Sequence, residues 1–180
     1  GEGIPCEDHI NEAIVYSNKE LLNYIFDLNN NLKPDIYAVN NAVILNNIET
    51  IEWYCNIFGE LPILNYNLEE IIIKNDLMMI KQLNHLYEDI FKPSHVLLAS
   101  TYGNLSIIKY MHDYVIHFSE FPYNCVSNVA YKNNYIDILE WCYDINKTLP
   151  DDYILEESLN GNEQAMSWVI RTRKKNMSYN

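Results

Sequence analysis

"NNIETIEWYCN", residues 46–56, returns in altered spelling as "NNYIDILEWCYD", residues 133–144. In both, a pair of asparagines precedes a short apolar run and a tryptophan, Trp53 or Trp141. A chain rich in Asn, Ile and Tyr repeats such pairs by composition alone, so the echo needs an independent test. The six prolines supply one, because they are too few to recur by bias: Pro5, Pro34, Pro62, Pro93, Pro122 and Pro150, at intervals of 29, 28, 31, 29 and 28. Every proline holds one phase of a roughly 29-residue period, the mark of a stacked repeat.

Aligning six copies on the tryptophan gives the column Tyr24, Trp53, Gln82, Tyr110, Trp141 and Trp168, which takes in all three tryptophans. Two residues earlier stand Leu22, Ile51, Ile80, Ile108, Leu139 and Met166. One residue later stand Ile25, Tyr54, Leu83, Met111, Cys142 and Val169. The offset of three places these two columns on one helical face. Five before the tryptophan, Ile48, Leu77, Leu105 and Ile136 are apolar while the terminal Lys19 and Glu163 are charged, as end copies with one solvated face require.

Six before the tryptophan, Asn18, Asn47, Asp76, Asn104 and Asn162, with Tyr135 the exception, read as N-caps of a second helix. The preceding column, Ser17, Asn46, Asn75, Gly103, Asn134 and Gly161, is rich in Gly and Asn, which tolerate a left-handed backbone. A tight corner between two helices follows. Eleven before the tryptophan, Ala13, Ala42, Ala99 and Ala130, interrupted by Ile71 and Glu157, form a column small enough for close helix approach. Each proline stands just before the first helix, where its missing N–H costs little.

The fourth copy, "SHVLLASTYGNLSIIKYM", residues 94–111, resembles the ankyrin-repeat pattern: Ser94 matches its opening Thr, Ala99 its first Ala, Gly103 its turn Gly, and Leu105, Ile107 and Ile108 its second-helix core. The copies run 28–31 residues rather than the usual 33, His95 replaces the motif proline and Leu97 the motif histidine. The style is similar to the Asn/Ile-rich ankyrin-like repeats of large cytoplasmic DNA viruses. The resemblance implies an all-α, ankyrin-like helical-repeat solenoid of about six helix-turn-helix units with shortened hairpins. These span one domain, residues 6–175, in units 6–33, 34–61, 62–92, 93–121, 122–149 and 150–175. Residues 1–5 read as an expression leftover or disordered start and 176–180 as a tail. A tetratricopeptide-like stack is the runner-up, its 34-residue period lying farther away. Twelve short helices with essentially no sheet are expected.

At 180 residues the chain can bury about 70% of the surface its unfolded form exposes, enough for a core without staples. Cys6, Cys55, Cys125 and Cys142 form no CxxC pair, which suits reduced intracellular thiols. No apolar run is long enough to span a bilayer and the first residues do not read as a signal peptide, so a non-membrane, cytoplasmic protein is expected. The net charge of −13 would repel a phosphate backbone, and nucleic acid is excluded on that ground. The basic "RTRKK" near the end reads as a solvated terminus.

Catalytic and metal readings find little support. Cys6 and His9 form a CxxH and His112 and His117 lie five apart, without the four-ligand spacing of a zinc motif. The acid pairs Glu69/Glu70, Asp151/Asp152 and Glu156/Glu157 lack a partner motif and suit a solvated face or a helix start. No phosphate-cradling Gly loop occurs. The expectation is therefore a monomeric non-enzyme with no cofactor or metal, a protein-interaction module such as a viral or pathogen adaptor acting on a host factor in the host cytoplasm. The alternative is a structural or regulatory segment of a larger enzyme.

By the resemblance, the two positions before the corner lie at the exposed end of each first helix, on the concave side. They are Val15/Tyr16, Ile44/Leu45, Ile73/Lys74, Thr101/Tyr102, Lys132/Asn133 and Leu159/Asn160. Tyr16, Ile44, Leu45, Ile73, Lys74, Thr101, Tyr102, Lys132 and Asn133 are the expected partner contacts, with acidic flanks steering a basic partner segment.

Overall fold

The computed structural model describes residues 4–87, 89–157 and 162–177, the side chains of Tyr66 and Glu157 excepted. Gly161 and the pair Leu159/Asn160 therefore lie outside the described residues, as do the ends of the expected leading and trailing segments. Among the described residues there are twelve α-helices, one 3₁₀ turn at Phe118–Glu120 and no strand. The helices are α1 (Glu7–Val15), α2 (Lys19–Leu28), α3 (Ile36–Ile44), α4 (Ile48–Phe58), α5 (Asn65–Ile73) and α6 (Leu77–Leu86). They continue with α7 (Pro93–Thr101), α8 (Leu105–Tyr114), α9 (Tyr123–Lys132), α10 (Ile136–Asn146), α11 (Asp152–Glu157) and α12 (Glu163–Met177). Where the resemblance implies a truncated hairpin, each described connection between copies is a strandless loop.

The corner between paired helices has the geometry its residues demand. Ser17, Asn46, Asn75, Gly103 and Asn134 adopt φ of +52°, +59°, +57°, +73° and +61°. A left-handed residue here turns the chain back while satisfying carbonyls the helix end leaves open. In the first copy the Ser17 N–H donates to the Ile14 carbonyl at 3.1 Å and the Asn18 N–H to the Ala13 carbonyl at 3.0 Å. The same two bonds join Asn46 and Asn47 to Val43 and Ala42, Gly103 and Asn104 to Ser100 and Ala99, and Asn134 and Tyr135 to Tyr131 and Ala130. Gly103 meets a second demand, because a Cβ there would lie 2.9 Å from the Tyr135 ring.

The N-cap column divides in two. Asn18 and Asp76 accept from the Leu21 and Met79 N–H groups, as expected. Asn47 and Asn104 do not cap with their side chains. Each instead donates backward to the first helix of the copy before it, Asn47 to the Val15 carbonyl at 3.1 Å and Asn104 to the Ile72 carbonyl at 2.6 Å. An amide can donate where a carboxylate cannot, and so can a hydroxyl: Tyr135, in the same column, donates backward to the Thr101 carbonyl at 3.5 Å.

The backbone forms two compact units, residues 1–71 and 72–180, divided inside α5. In the first, α1 packs on α2 and α3, and α4 on α2 and α3; in the second, α7 packs on α8 and α9, α9 on α10, α10 on α12 and α6 on α8. Within both, Ala13, Ala42, Ala99 and Ala130 are fully buried where first helices meet. The deep core of the second helices holds the columns two before and one after the tryptophan, with Met166 only half-buried. A third buried column stands three before it: Thr50, Met79, Ile107, Ile138 and Ala165.

The tryptophan column itself is a seam rather than deep core. Trp53 and Trp168 are buried, but Gln82, Tyr110 and Trp141 are half-buried and Tyr24 is exposed. Its partners come from the residue two after the same position in the preceding copy. Phe26 meets Trp53 edge-on with ring centroids 6.0 Å apart, His112 meets Trp141 at 5.2 Å, and Tyr143 meets Trp168 at 6.1 Å. Asn84 takes the same place polar-fashion, donating to the Tyr110 hydroxyl at 3.2 Å. The Trp53 indole N–H also donates back to Asn23 Oδ1 at 2.8 Å.

A polar clamp joins successive first helices. Asn11 Oδ1 accepts from the Asp35 N–H at 2.9 Å while its Nδ2 donates to Asp35 Oδ2 at 2.9 Å. Asn128 repeats both bonds with Asp151, at 2.9 and 2.6 Å. Asn40 holds the Leu64 N–H and the Pro62 carbonyl, at 2.9 and 2.7 Å. Each clamp grips the segment at or just after a phased proline, which has no N–H of its own to offer.

Two outcomes follow from this packing. Trp53→Ala removes a buried indole and strands the Asn23 acceptor, so it should lower unfolding free energy in denaturant titration by about 3–5 kcal/mol. Half-buried Trp141→Ala should cost less. Separately, burial pushes the Cys142 thiol from 9.0 up to about 12 and raises the Tyr54, Tyr123 and Tyr131 phenols above 10.0. The unfolded chain releases these protons first. The stabilisation is therefore intact below pH about 9 and declines as pH rises toward about 12, which thermal melts across alkaline pH will register.

Candidate functional site

The corner decides which residues face outward. Tyr16, Leu45, Tyr102 and Asn133 are the C-cap residues of α1, α3, α7 and α9, and Ile73 ends α5. At roughly 100° per residue, the buried pair two and three residues before the cap, such as Ile14 and Ala13, turns the cap outward. In the first unit Tyr16 is 79% exposed and Leu45 57%, with Ile44 and Val15 half-buried beside them. In the second unit Ile73, Lys74, Thr101, Tyr102, Lys132 and Asn133 are all exposed. Thr101 Oγ1 and Asn133 Nδ2 donate to carbonyls of their own helices, so among these six residues Ile73 and Tyr102 are the apolar groups.

The first unit adds a cleft of about 310 Å³ between α1 and α3, bounded by Glu12, Val15, Tyr16, Asp35 and Tyr37. Asp35 is held in place from three directions: Oδ1 accepts from the Ala38 N–H at 2.8 Å, and Asn11 holds its Oδ2 and its backbone N–H. A carboxylate so fixed keeps lone pairs for a further donor without having to be ordered on binding. Glu12 is exposed at the rim, and Tyr37 is 66% exposed opposite Tyr16. Residues 1–71 hold twelve acids against two bases, whereas residues 72–180 hold thirteen against ten. The cleft thus lies in the strongly negative part of the chain.

Glu12, Asp35 and Tyr37 were not singled out from the sequence. A signal was present for Tyr37: its column, sixteen before the tryptophan, reads Asp8, Tyr37, Tyr66, Ser94, Cys125 and Asp152, so an aromatic there stands out. Asp35 was hidden because its clamp partner Asn11 sits in a background of many asparagines.

The residues considered for chemistry are engaged in local structure. His9 Nδ1 accepts from the Cys6 N–H at 3.1 Å, with the Cys6 thiol at 3.0 Å. His95, in the same column, accepts from the Lys92 N–H at 3.0 Å with no thiol present, so the shared role is to hold the start of a first helix. His112 and His117 have separate partners: Nδ1 of His117 lies 2.8 Å from Ser119 Oγ, while His112 bridges Asp113 Oδ1 and the Tyr123 hydroxyl, each at 2.6 Å. That carboxylate–imidazole–phenol chain ends at a phenol whose proton burial helps to retain. Asp151 belongs to a clamp and Asp152 pairs with Arg173 at 2.7 Å. Among the described residues, no three His, Cys, Asp or Glu side chains converge on a point, and no helix is long and apolar enough to cross a membrane.

No family model matches the chain, and neither the curated proteins nor the solved structures searched contain a match. The site's own chemistry carries the functional reading.

Because Leu45 and Tyr102 stand at exposed caps, Leu45→Glu and Tyr102→Glu should each shift unfolding free energy by less than about 0.5 kcal/mol. Ile14→Glu, at a fully buried position two residues before the Tyr16 cap, should abolish cooperative unfolding by circular dichroism.

Proposed function

We propose that this chain is an ankyrin-like protein-interaction module that holds a basic peptide segment of its partner in the cleft between α1 and α3. The observation that carries the reading is Asp35, a carboxylate locked by Asn11 and Ala38 and set beside the exposed rings of Tyr16 and Tyr37. A Lys or Arg side chain entering there gains a charge-assisted hydrogen bond from a group that needs no reorganisation, together with favourable contact to aromatic faces. The surrounding excess of acids raises the rate at which a basic segment arrives. Leu45 and Ile44 extend the apolar contact within the first unit. Ile73, Lys74, Thr101, Tyr102, Lys132 and Asn133 offer the second unit's own contacts, with Tyr102 the principal anchor. A role as a viral or pathogen adaptor on a host factor in the host cytoplasm accords with this chemistry and with the repeat pattern.

The test is a fixed array of lysine- and arginine-containing peptides, followed by titration calorimetry of the best binder. Tyr16→Ala and Tyr37→Ala, both at exposed positions, should each weaken that peptide by about tenfold, and high salt should weaken it further. Unchanged affinity in both variants, or a preference for acidic peptides, removes the cleft as the site.

A further inference from the structure

We propose that the groove between α1 and α3 reads its peptide at two points, taking an extended segment in which a basic residue and a large apolar residue stand four or five positions apart. This rests on the cleft being the basic-peptide site proposed for it, and adds a second contact at a fixed spacing. On α3, Tyr37, Asn41 and Leu45 follow one another at intervals of four and are all exposed, so they form one outward stripe. The stripe begins next to the locked Asp35 carboxylate, runs along the cleft wall at Tyr37 and Asn41, and reaches Leu45 one turn beyond the cleft. On α1, Glu12 and Tyr16 line the opposite wall at the same interval.

Exposure here belongs to the columns rather than to the place of a copy in the chain. Tyr16 and Leu45 share the column eight before the tryptophan, and Glu12 and Asn41 the column twelve before it; all four are exposed. That holds for Asn41 and Leu45 although α3 has a packed neighbour on each side, α1 through the Asn11–Asp35 clamp and the start of α5 through the bond from Asn67 Nδ2 to Asn40 Oδ1 at 3.0 Å. The two ends of the stripe differ in chemistry. Asp35 and Glu12 supply carboxylates at one end, and Leu45, with half-buried Ile44 beside it, supplies aliphatic surface at the other.

Charge and length together define the occupant. The two bases of the first unit stand elsewhere: Lys33 lies over the Phe58 ring, 5.7 Å from its centroid, and Lys19 opens α2. The carboxylate end therefore suits a cation brought by the partner. Leu45 follows Asp35 by ten residues. At about 1.5 Å of rise per residue the two ends are about 15 Å apart along the axis. An extended chain, at about 3.3 Å per residue, covers that distance in four or five steps. Between the ends, Asn41 offers an amide that both donates and accepts, as the backbone of an extended segment requires.

The test is fluorescence polarisation with short Gly/Ser peptides that carry one Arg and one Leu, their separation varied in both orders, beside a peptide carrying the Arg alone. Affinity should peak at a separation of four or five, about tenfold above adjacent placement. Leu45→Ala, at an exposed position and checked for folding by circular dichroism, should remove that peak and leave binding of the Arg-only peptide unchanged. Tyr37→Ala should weaken every peptide in the series. Affinity that ignores the separation, or a peak that survives in Leu45→Ala, overturns the two-point reading, and the cleft still stands if Tyr37→Ala weakens the Arg-only peptide. If no Arg peptide binds at any separation, or acidic peptides bind better, the cleft reading falls and the spacing falls with it.

Discussion

A single backbone residue with positive φ at each of the five described helix corners sets the geometry on which the remaining contacts depend. Ser17, Asn46, Asn75, Gly103 and Asn134 each reverse the chain in the same way, and four of these corners close with the same two hydrogen bonds. Because the reversal is uniform, a side chain at a given distance from the corner always emerges in the same direction. That regularity brings Ala13 and Ala42 into one contact layer, Trp53 onto Phe26, and Asn11 within reach of Asp35. A β-branched residue at a corner would be strained in the left-handed region and would disturb all of these contacts.

Two kinds of contact hold successive copies together, and they divide the work by chemistry. Apolar columns fill the deep interior, where each methylene removed from water stabilises by about 0.8 kcal/mol. Asparagine joins backbone groups of neighbouring copies, at half-buried sites and at the buried Asn40 and Asn104, because its amide donates and accepts at once. Asn11, Asn40 and Asn128 clamp the segment entering the next copy, while Asn47 and Asn104 reach back to the copy before. The abundance of asparagine, which composition alone would dismiss as bias, is thus partly structural. A backbone group gripped by an amide in this way need not be paired in a hairpin, which fits connections that are short and strandless.

The same stacking logic separates surfaces from core. Residues immediately before each corner cannot be covered by the neighbouring first helix, since the buried positions have already been used by the preceding two residues. They remain available for a partner, and in the first unit they adjoin a fixed carboxylate in a strongly acidic setting. The proposed partner contact accordingly uses the exposed ends of helices whose other faces are committed to packing.

The sequence by itself determined the period, the corners and the deep core. Proline phasing located the copies, the Gly/Asn column located the left-handed residues, and the alternation around the tryptophans located the buried faces. These are local properties: φ preference, a missing N–H and helical spacing act within a few residues and leave a mark wherever they apply. Only the tertiary structure decided that the tryptophan column is a seam, that Asn47 and Asn104 donate across copies instead of capping, and that Asp35 is locked beside Tyr37. Each of those outcomes depends on a partner 24 to 32 residues away. In a chain so rich in asparagine, residue type does not tell which amide will find a distant carbonyl; the packed distance between helices does.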